Sequence, residues 1–266
     1  LGKGNEEMKK KTAVMLFCGA VLIYSLIVIC LSWSEIREGL AIGRGEELLA
    51  KGQYEQALTV FTILIDSNPD SEKLYYNRAM AYLGLKQYER AISECEIGMG
   101  KSNSITSYYN YLNLQAIIYT QIGDYQRAGE ICAKAISAVP HFAQAYSIRA
   151  SVYFYQRDYY HALKDCEKAI QLDSSNTLAY KVKGWIHAKA GEIDKGELEK
   201  AIENFNRVIK LDPEDVNTYY NRGMAFYKEG KKEQAIADFN RVISIGTEPE
   251  LSQKSRELLA LIEKEN

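Results

Sequence analysis

Alanine recurs at Ala57, Ala91, Ala128, Ala162, Ala201 and Ala235, at intervals of 34, 37, 34, 39 and 34 residues. Self-similarity at a nearly fixed interval of this size restricts the chain to stacked copies of one supersecondary unit. A single copy cannot bury its apolar face, so each must lean on the next. An interval of about 34 residues fits a helix–turn–helix unit.

Other positions recur with the alanines. Twelve residues before them stand Gly45, Ala79, Ala116, Ala150 and Gly223, with Gly184 in the fifth copy after a longer gap. Small residues there let two helix backbones come close. Three before each alanine are Tyr54, Tyr88, Tyr125, Tyr159, Leu198 and Lys232. Four after are Phe61, Cys95, Cys132, Cys166, Phe205 and Phe239, and seven after are Leu64, Gly98, Ala135, Ala169, Val208 and Val242. Offsets of −3, 0, +4 and +7 share one face of an α-helix, so each copy carries a second helix with a buried stripe. Pro69, Pro140 and Pro213 fall twelve after their alanines and force a turn into the next copy.

The pattern resembles the tetratricopeptide repeat (TPR) family. Its small–x–x–Tyr, later Gly–x–Tyr–x–x–Ala, then aromatic and Pro, appears as Ala79–Tyr82 with Tyr88–Ala91, and as Gly123–Asp124–Tyr125–Ala128 with Pro140. It appears again as Ala150–Tyr153 with Tyr159–Ala162. The resemblance implies an all-α, right-handed solenoid of about six helix pairs. Repeats are expected at about 38–71, 72–108, 109–142, 143–176, 177–215 and 216–249 of a domain spanning 35–266. Repeat two has about three extra residues near Lys101–Ser107, where its proline is missing; repeat five has about five between Gly191 and Leu198, expected to lengthen the turn into Glu192–Glu197. At 250–266, Leu251, Leu258, Leu259 and Ile262 fall on one side of a helix, as a cap closing the solenoid requires.

Ahead of the repeats, Thr12 to Ser34 contains no charged residue. Roughly 20 apolar residues suffice to cross a bilayer as a helix. Lys9, Lys10 and Lys11 precede the stretch, Trp33 lies near its far end, and mixed charges follow. The positive-inside rule then predicts a cytoplasmic tail at 1–11, a transmembrane signal-anchor helix at 12–34 contacting the lipid bilayer, and repeats outside the cytoplasm. The alternative is a secreted domain cleaved near Ser34; a signal core of about 7–15 residues would be shorter than this one. Met8 followed by three lysines reads as a natural start, so residues 1–7 are set aside from the fold reading.

Removing residues 1–34 takes four basic and two acidic residues from totals of 33 and 35, leaving 29 and 33 and a net charge of −4. That is not the basic balance of a nucleic-acid binder. Cys95, Cys132 and Cys166 share one core slot in successive repeats. Equivalent positions lie roughly 8–10 Å apart, beyond the ~7 Å between Cα atoms that a disulfide tolerates. Free buried thiols are expected, which sits awkwardly with an oxidising compartment. His141 lies in a turn, His161 on an outward face, and His187 in a slot that elsewhere holds Leu, Tyr or Phe. None has a ligand-type neighbour at metal spacing, and no nucleophile elbow, Walker loop or dinucleotide fingerprint is present. The chain reads as non-enzymatic, with no catalytic residue, cofactor, metal or small-molecule substrate.

In TPR arrays the first helices line a concave face. Carried onto this sequence, the inward positions give a peptide-binding groove of Tyr76, Asn77, Met80, Ile117, Phe154, Tyr155, Lys181, Trp185, Lys189, Tyr220, Asn221, Met224 and Tyr227. Lys181 and Lys189 would supply charge contacts. Chaperone-binding relatives hold a terminal carboxylate with paired Lys/Asn, Asn and Lys/Arg on three successive repeats. Asn77 matches the centre, but Ile42 and Glu46 before it and Asn110 and Leu114 after it do not. Lys181 matches near Asn221, but Trp185 stands where Asn is required. The expectation is a non-catalytic, membrane-anchored scaffold that binds a peptide or helix of a protein partner in its groove. The alternative is a structural subunit of a cell-envelope assembly or secretion complex using its convex face.

Overall fold

The structure, a computed structural model, describes residues 38–264. These residues are all-helical, with no strand among them. Helix α1 runs through 38–50 and pairs with α2 (Tyr54–Ser67). Five more pairs follow: α3 (Glu72–Gly84) with α4 (Tyr88–Lys101), α5 (Ile105–Ile122) with α6 (Tyr125–Ala138), α7 (Ala143–Tyr155) with α8 (Tyr159–Leu172), α9 (Thr177–Ala190) with α10 (Gly196–Leu211), and α11 (Val216–Glu229) with α12 (Lys232–Ile245). The single helix α13 (Pro249–Lys264) packs on α12 and, more lightly, on α11, with Ile262 fully buried. Each helix pair touches its neighbours, and the turn after α12 comes back beside the first repeat. There the Thr247 carbonyl lies 3.5 Å from where a Cβ on Gly52 would stand.

Within each pair the two helices meet at the small residue of the first helix. In repeats one, five and six this is glycine facing phenylalanine. A Cβ on Gly45, Gly184 or Gly223 would fall 2.5, 2.4 or 2.9 Å from a ring carbon of Phe61, Phe205 or Phe239. In repeats two, three and four the same crossing is Ala79 with Cys95, Ala116 with Cys132 and Ala150 with Cys166, all fully buried. One residue ahead of each partner, repeats two, four and six add a forked ion pair: Arg78–Glu94, Arg149–Asp165 and Arg222–Asp238, with N–O distances of 2.6–2.9 Å.

Local signals set the helix boundaries. Asp124, Asp158, Asn176 and Asp215 cap α6, α8, α9 and α11, each accepting from the backbone N–H three residues on. The turn inside a pair places one residue in the left-handed region: Gly52, Lys86, Gly123, Arg157 and Gly230. Repeat five is the exception, and its Gly191 has φ −62.

Two boundaries differ from the sequence expectation. Repeat three was expected to start near 109, yet α5 begins at Ile105. Without a proline to stop it, the surplus of repeat two is wound into the first turn of α5, and only 102–104 stay non-helical. In repeat five, 192–197 was expected to be turn, but α10 begins at Gly196 and is 16 residues long where α12 has 14. The expected cap at 250–266 is α13, described to Lys264. The expected anchor at 12–34 lies outside the described residues. Among the described residues no helix is long and apolar enough to cross a membrane.

Gly184→Ala should lower stability by about 1–3 kcal/mol, because the new methyl overpacks Phe205. Adding Phe205→Cys rebuilds the Ala–Cys crossing of the middle repeats, so the double variant should melt above the Phe205→Cys single variant in thermal denaturation. Cys95, Cys132 and Cys166 are free and buried, and burial pushes each thiol up to about 12. They should resist alkylation at pH 8 in the native protein and all react after denaturation, as counted by mass spectrometry.

Candidate functional site

The first helices present their inward stripes side by side. On α9 the stripe is Lys181, Trp185, Ala188 and Lys189; on α11 it is Asn217, Tyr220, Asn221, Met224 and Lys228, each at i, i+3, i+4 spacing. With Phe154 and Tyr155 at the end of α7 they wall a cavity of ≈ 740 Å³. The Phe154 ring lies 5.7 Å from Trp185, 5.5 Å from Tyr155 and 5.8 Å from Tyr159, centroid to centroid. Tyr155 in turn stacks on Tyr125 at 5.9 Å and 2°. These are favourable aromatic separations, so the wall is held in place before any ligand arrives. Burial raises the Tyr155 phenol above its ordinary pKa, with Tyr125 adding to the shift.

This cavity is one compartment of a longer trough. A second, of ≈ 550 Å³, shares Tyr155, Leu178 and Trp185 with it and adds Ile117, Gln121, Tyr125 and Ser151. A third, of ≈ 440 Å³, shares Ile117, Ile148 and Leu178 with the second and reaches Tyr76, Asn110 and Asn113. The fourth, of ≈ 390 Å³, shares Tyr76 and Asn110 and ends at Glu46, Glu72 and Asn77. The trough therefore runs from the first repeat to the sixth, with its largest aromatic cluster toward the end.

The structure sorts the sequence-predicted residues. Phe154, Tyr155, Lys181, Trp185, Lys189, Tyr220, Asn221 and Met224 converge on the largest compartment. Ile117, Tyr76 and Asn77 line the others. Asn77 is buried and donates to Glu46 at 3.2 Å, so its amide ties repeat two to repeat one. Met80 and Tyr227 line none of the four compartments. Met80 packs on the Ala79–Cys95 core and Tyr227 on the Phe239–Ile262 core. Both lysines expected to supply charge contacts have partners within the chain. Lys181 is held by the carboxylate of Asp215, and Lys189 by Glu192 at 2.6 Å.

Sequence reasoning passed over Asn217, Lys228 and Glu192. Asn217 lies one turn before Asn221, and Lys228 is the neighbour of Tyr227 at the same end of α11; the helical period carries both signals. Glu192 belongs to the surplus of repeat five, where no family position exists to point at it. Among the histidines, His187 Nδ1 meets Glu197 Oε2 at 2.6 Å and joins α9 to the start of α10, and His161 meets Asp158 at 2.7 Å. Among the described residues no three His, Cys, Asp or Glu side chains are grouped to hold a metal ion.

Family models for the tetratricopeptide repeat match residues 42–97, 109–141, 143–176 and 216–245, and a TPR repeat model matches 192–230. Human tetratricopeptide repeat protein 12 is 33% identical over 69 residues, which are 26% of this chain and 10% of that protein. The chain thus spans about a tenth of the length of that curated relative. Yeast Tom70 superposes with a TM-score of 0.63 at 13% identity, covering 79% of this chain and 43% of that one. A thermophilic TPR protein of Thermus thermophilus gives 0.61 at 14% identity, covering 71% of this chain and 100% of that one. At such identities the likeness is one of fold.

The two lysines of the largest compartment should behave differently. The Asp215 side chain is buried and caps α11 as well as holding Lys181. Lys181→Met takes the only ammonium from that carboxylate, leaves its charge to the Thr218 hydrogen bonds, and should cost about 1–3 kcal/mol. The Lys189–Glu192 pair is half-exposed, and Lys189→Met should shift stability by less than about 0.5 kcal/mol. Paired urea titrations distinguish the two.

Proposed function

The chain belongs to the tetratricopeptide repeat family, whose members mediate protein–protein interaction and scaffolding, and we propose that it is a non-catalytic, membrane-anchored scaffold that binds a peptide or helix of a protein partner along its concave trough. One observation carries the reading: the four compartments share walls, so a single extended segment can touch several of them at once. Its strongest contacts fall where Phe154, Tyr155, Trp185 and Tyr220 gather, because aromatic side chains in desolvated pockets dominate such interfaces. The anchor is the uncharged stretch 12–34, and the three lysines before it favour repeats outside the cytoplasm. Protease added to intact cells should then degrade the repeat domain; protection until lysis would reverse the orientation.

A second reading, assembly through the convex side, has its own observation. Ile63 and Ile97 hold equivalent positions in the second helices of repeats one and two, and they are 61% and 40% exposed. One experiment separates the two. Partners captured by the full chain are recovered again with Trp185→Ala, Tyr220→Ala, and the pair Ile63→Ser with Ile97→Ser. Truncating an aromatic anchor costs about 2 kcal/mol or more, roughly thirtyfold in affinity. The trough reading expects that loss from Trp185→Ala and Tyr220→Ala and none from the isoleucine changes. The opposite pattern moves the site to the convex face.

A further inference from the structure

The largest compartment is cationic as well as aromatic, and its charge is arranged unevenly. Lys181, Lys189 and Lys228 all line it. Asp215 holds Lys181 and is spent on that ion pair and on capping α11, where it accepts from the backbone N–H and the hydroxyl of Thr218. One carboxylate remains for the other two lysines. Glu192 accepts from Lys189 at 2.6 Å through one oxygen and from Lys228 at 3.4 Å through the other. The two ammonium groups come from different repeats, and Glu192 sits between them.

Glu192 is not part of the repeat pattern. It lies in the 191–195 turn, the one turn inside a helix pair without a left-handed residue, where the surplus of repeat five leaves the helices. The surplus therefore adds an acidic side chain to the rim of the compartment richest in lysine. Its side chain and that of Lys228 are about equally exposed, at 44% and 40%. An exchange of partners there strips little water from either, and exposed ion pairs of this kind are worth only about 0–1 kcal/mol. The contact is easy to displace.

We propose that Lys189 and Lys228 form an anion subsite, that Glu192 fills it in the free protein, and that a partner peptide enters the aromatic compartment by setting one of its own acidic side chains in place of Glu192. This rests on the trough being the binding surface and names the class of segment it takes: an acidic residue beside an aromatic or large apolar one. Charge complementarity selects that segment. With Asp215 committed to α11, the wall carries more ammonium than carboxylate, and a basic segment would meet Lys189 and Lys228. Glu192 then acts as an internal competitor. Lys189 first, and then Lys228, hold its carboxyl below the ordinary glutamate range, so the competitor stays charged throughout the neutral range.

The test uses the full chain in detergent with Trp33→Phe, which leaves Trp185 as the only tryptophan of two and as a reporter in the cavity wall. Peptides from a random twelve-residue display library are selected on the immobilised protein and titrated against Trp185 fluorescence. Those that perturb it should be enriched in Asp or Glu next to an aromatic residue. Changing that acidic residue to its amide should weaken binding about two- to fivefold, and Lys228→Met should produce a loss of the same size. Glu192→Gln should tighten the acidic peptide about two- to fivefold, the range an exposed ion pair allows, and leave the amide peptide unchanged. If peptides that perturb Trp185 show no acidic preference, or if Glu192→Gln leaves the acidic peptide unaffected, the anion subsite is overturned while the trough reading survives. If no selected peptide perturbs Trp185, the trough reading fails and takes the subsite with it.

Discussion

The array depends on the close approach of two helices at one small residue in each repeat. At Gly184 a single methyl group would stand 2.4 Å from Phe205, and at Gly45 2.5 Å from Phe61. The crossing is filled in two ways, by a large ring against glycine or by a thiol against alanine. Protein interiors pack as densely as organic crystals, so volume removed from one helix must be supplied by the other. That explains why the cysteines and phenylalanines divide the repeats between them, and why the cysteines need no role beyond packing. The forked pairs Arg78–Glu94, Arg149–Asp165 and Arg222–Asp238 sit one residue away from the same contacts. Burying such charges costs about as much as their attraction returns. Their fixed geometry specifies the sliding register of one helix on the other, which the apolar contact leaves loose.

That register produces the trough. Once the small residue of a first helix faces its partner, the positions two and three before it, one after it and four or five after it turn away from the pair and toward the concave side. Trp185 stands one residue after Gly184, and Tyr220 and Met224 stand three before and one after Gly223. The aromatic wall is thus tied to the crossing by helical geometry. Asp215 links the levels further, because it starts α11 and fixes Lys181 in one side chain.

Much of this was legible in the sequence. The 34-residue recurrence set the repeats, and the inward positions implied by the resemblance to TPR arrays named eight of the residues that meet in the largest compartment. What escaped has specific causes. Extra residues without proline can be wound into a helix as readily as left in a loop, which is why α5 and α10 start earlier than expected. Met80 and Tyr227 lie at inward offsets and pack on the core as Tyr76, Tyr220 and Met224 do, yet border none of the four compartments. The ion pairs were out of reach: Lys228 and Glu192 are 36 residues apart, and their meeting depends on how far each repeat rotates on the last. The anchor at 12–34 remains a reading of hydropathy and charge.

Repeat five joins these threads. Its surplus residues break the rule that holds elsewhere, a left-handed residue closing the turn between paired helices. They are taken up partly by lengthening α10, whose Glu197 binds His187 and so fastens the new turn to α9. With both ends secured, the 191–195 turn places Glu192 beside Lys189 and within reach of Lys228 without disturbing the Gly184–Phe205 crossing beneath it. A consistent array thus tolerates a local departure at its edge, where no core contact is lost. Such departures are where a repeat protein can acquire chemistry its neighbours lack. The recurring crossings make the scaffold, and the irregular turn gives its largest compartment a charge pattern that no other repeat repeats.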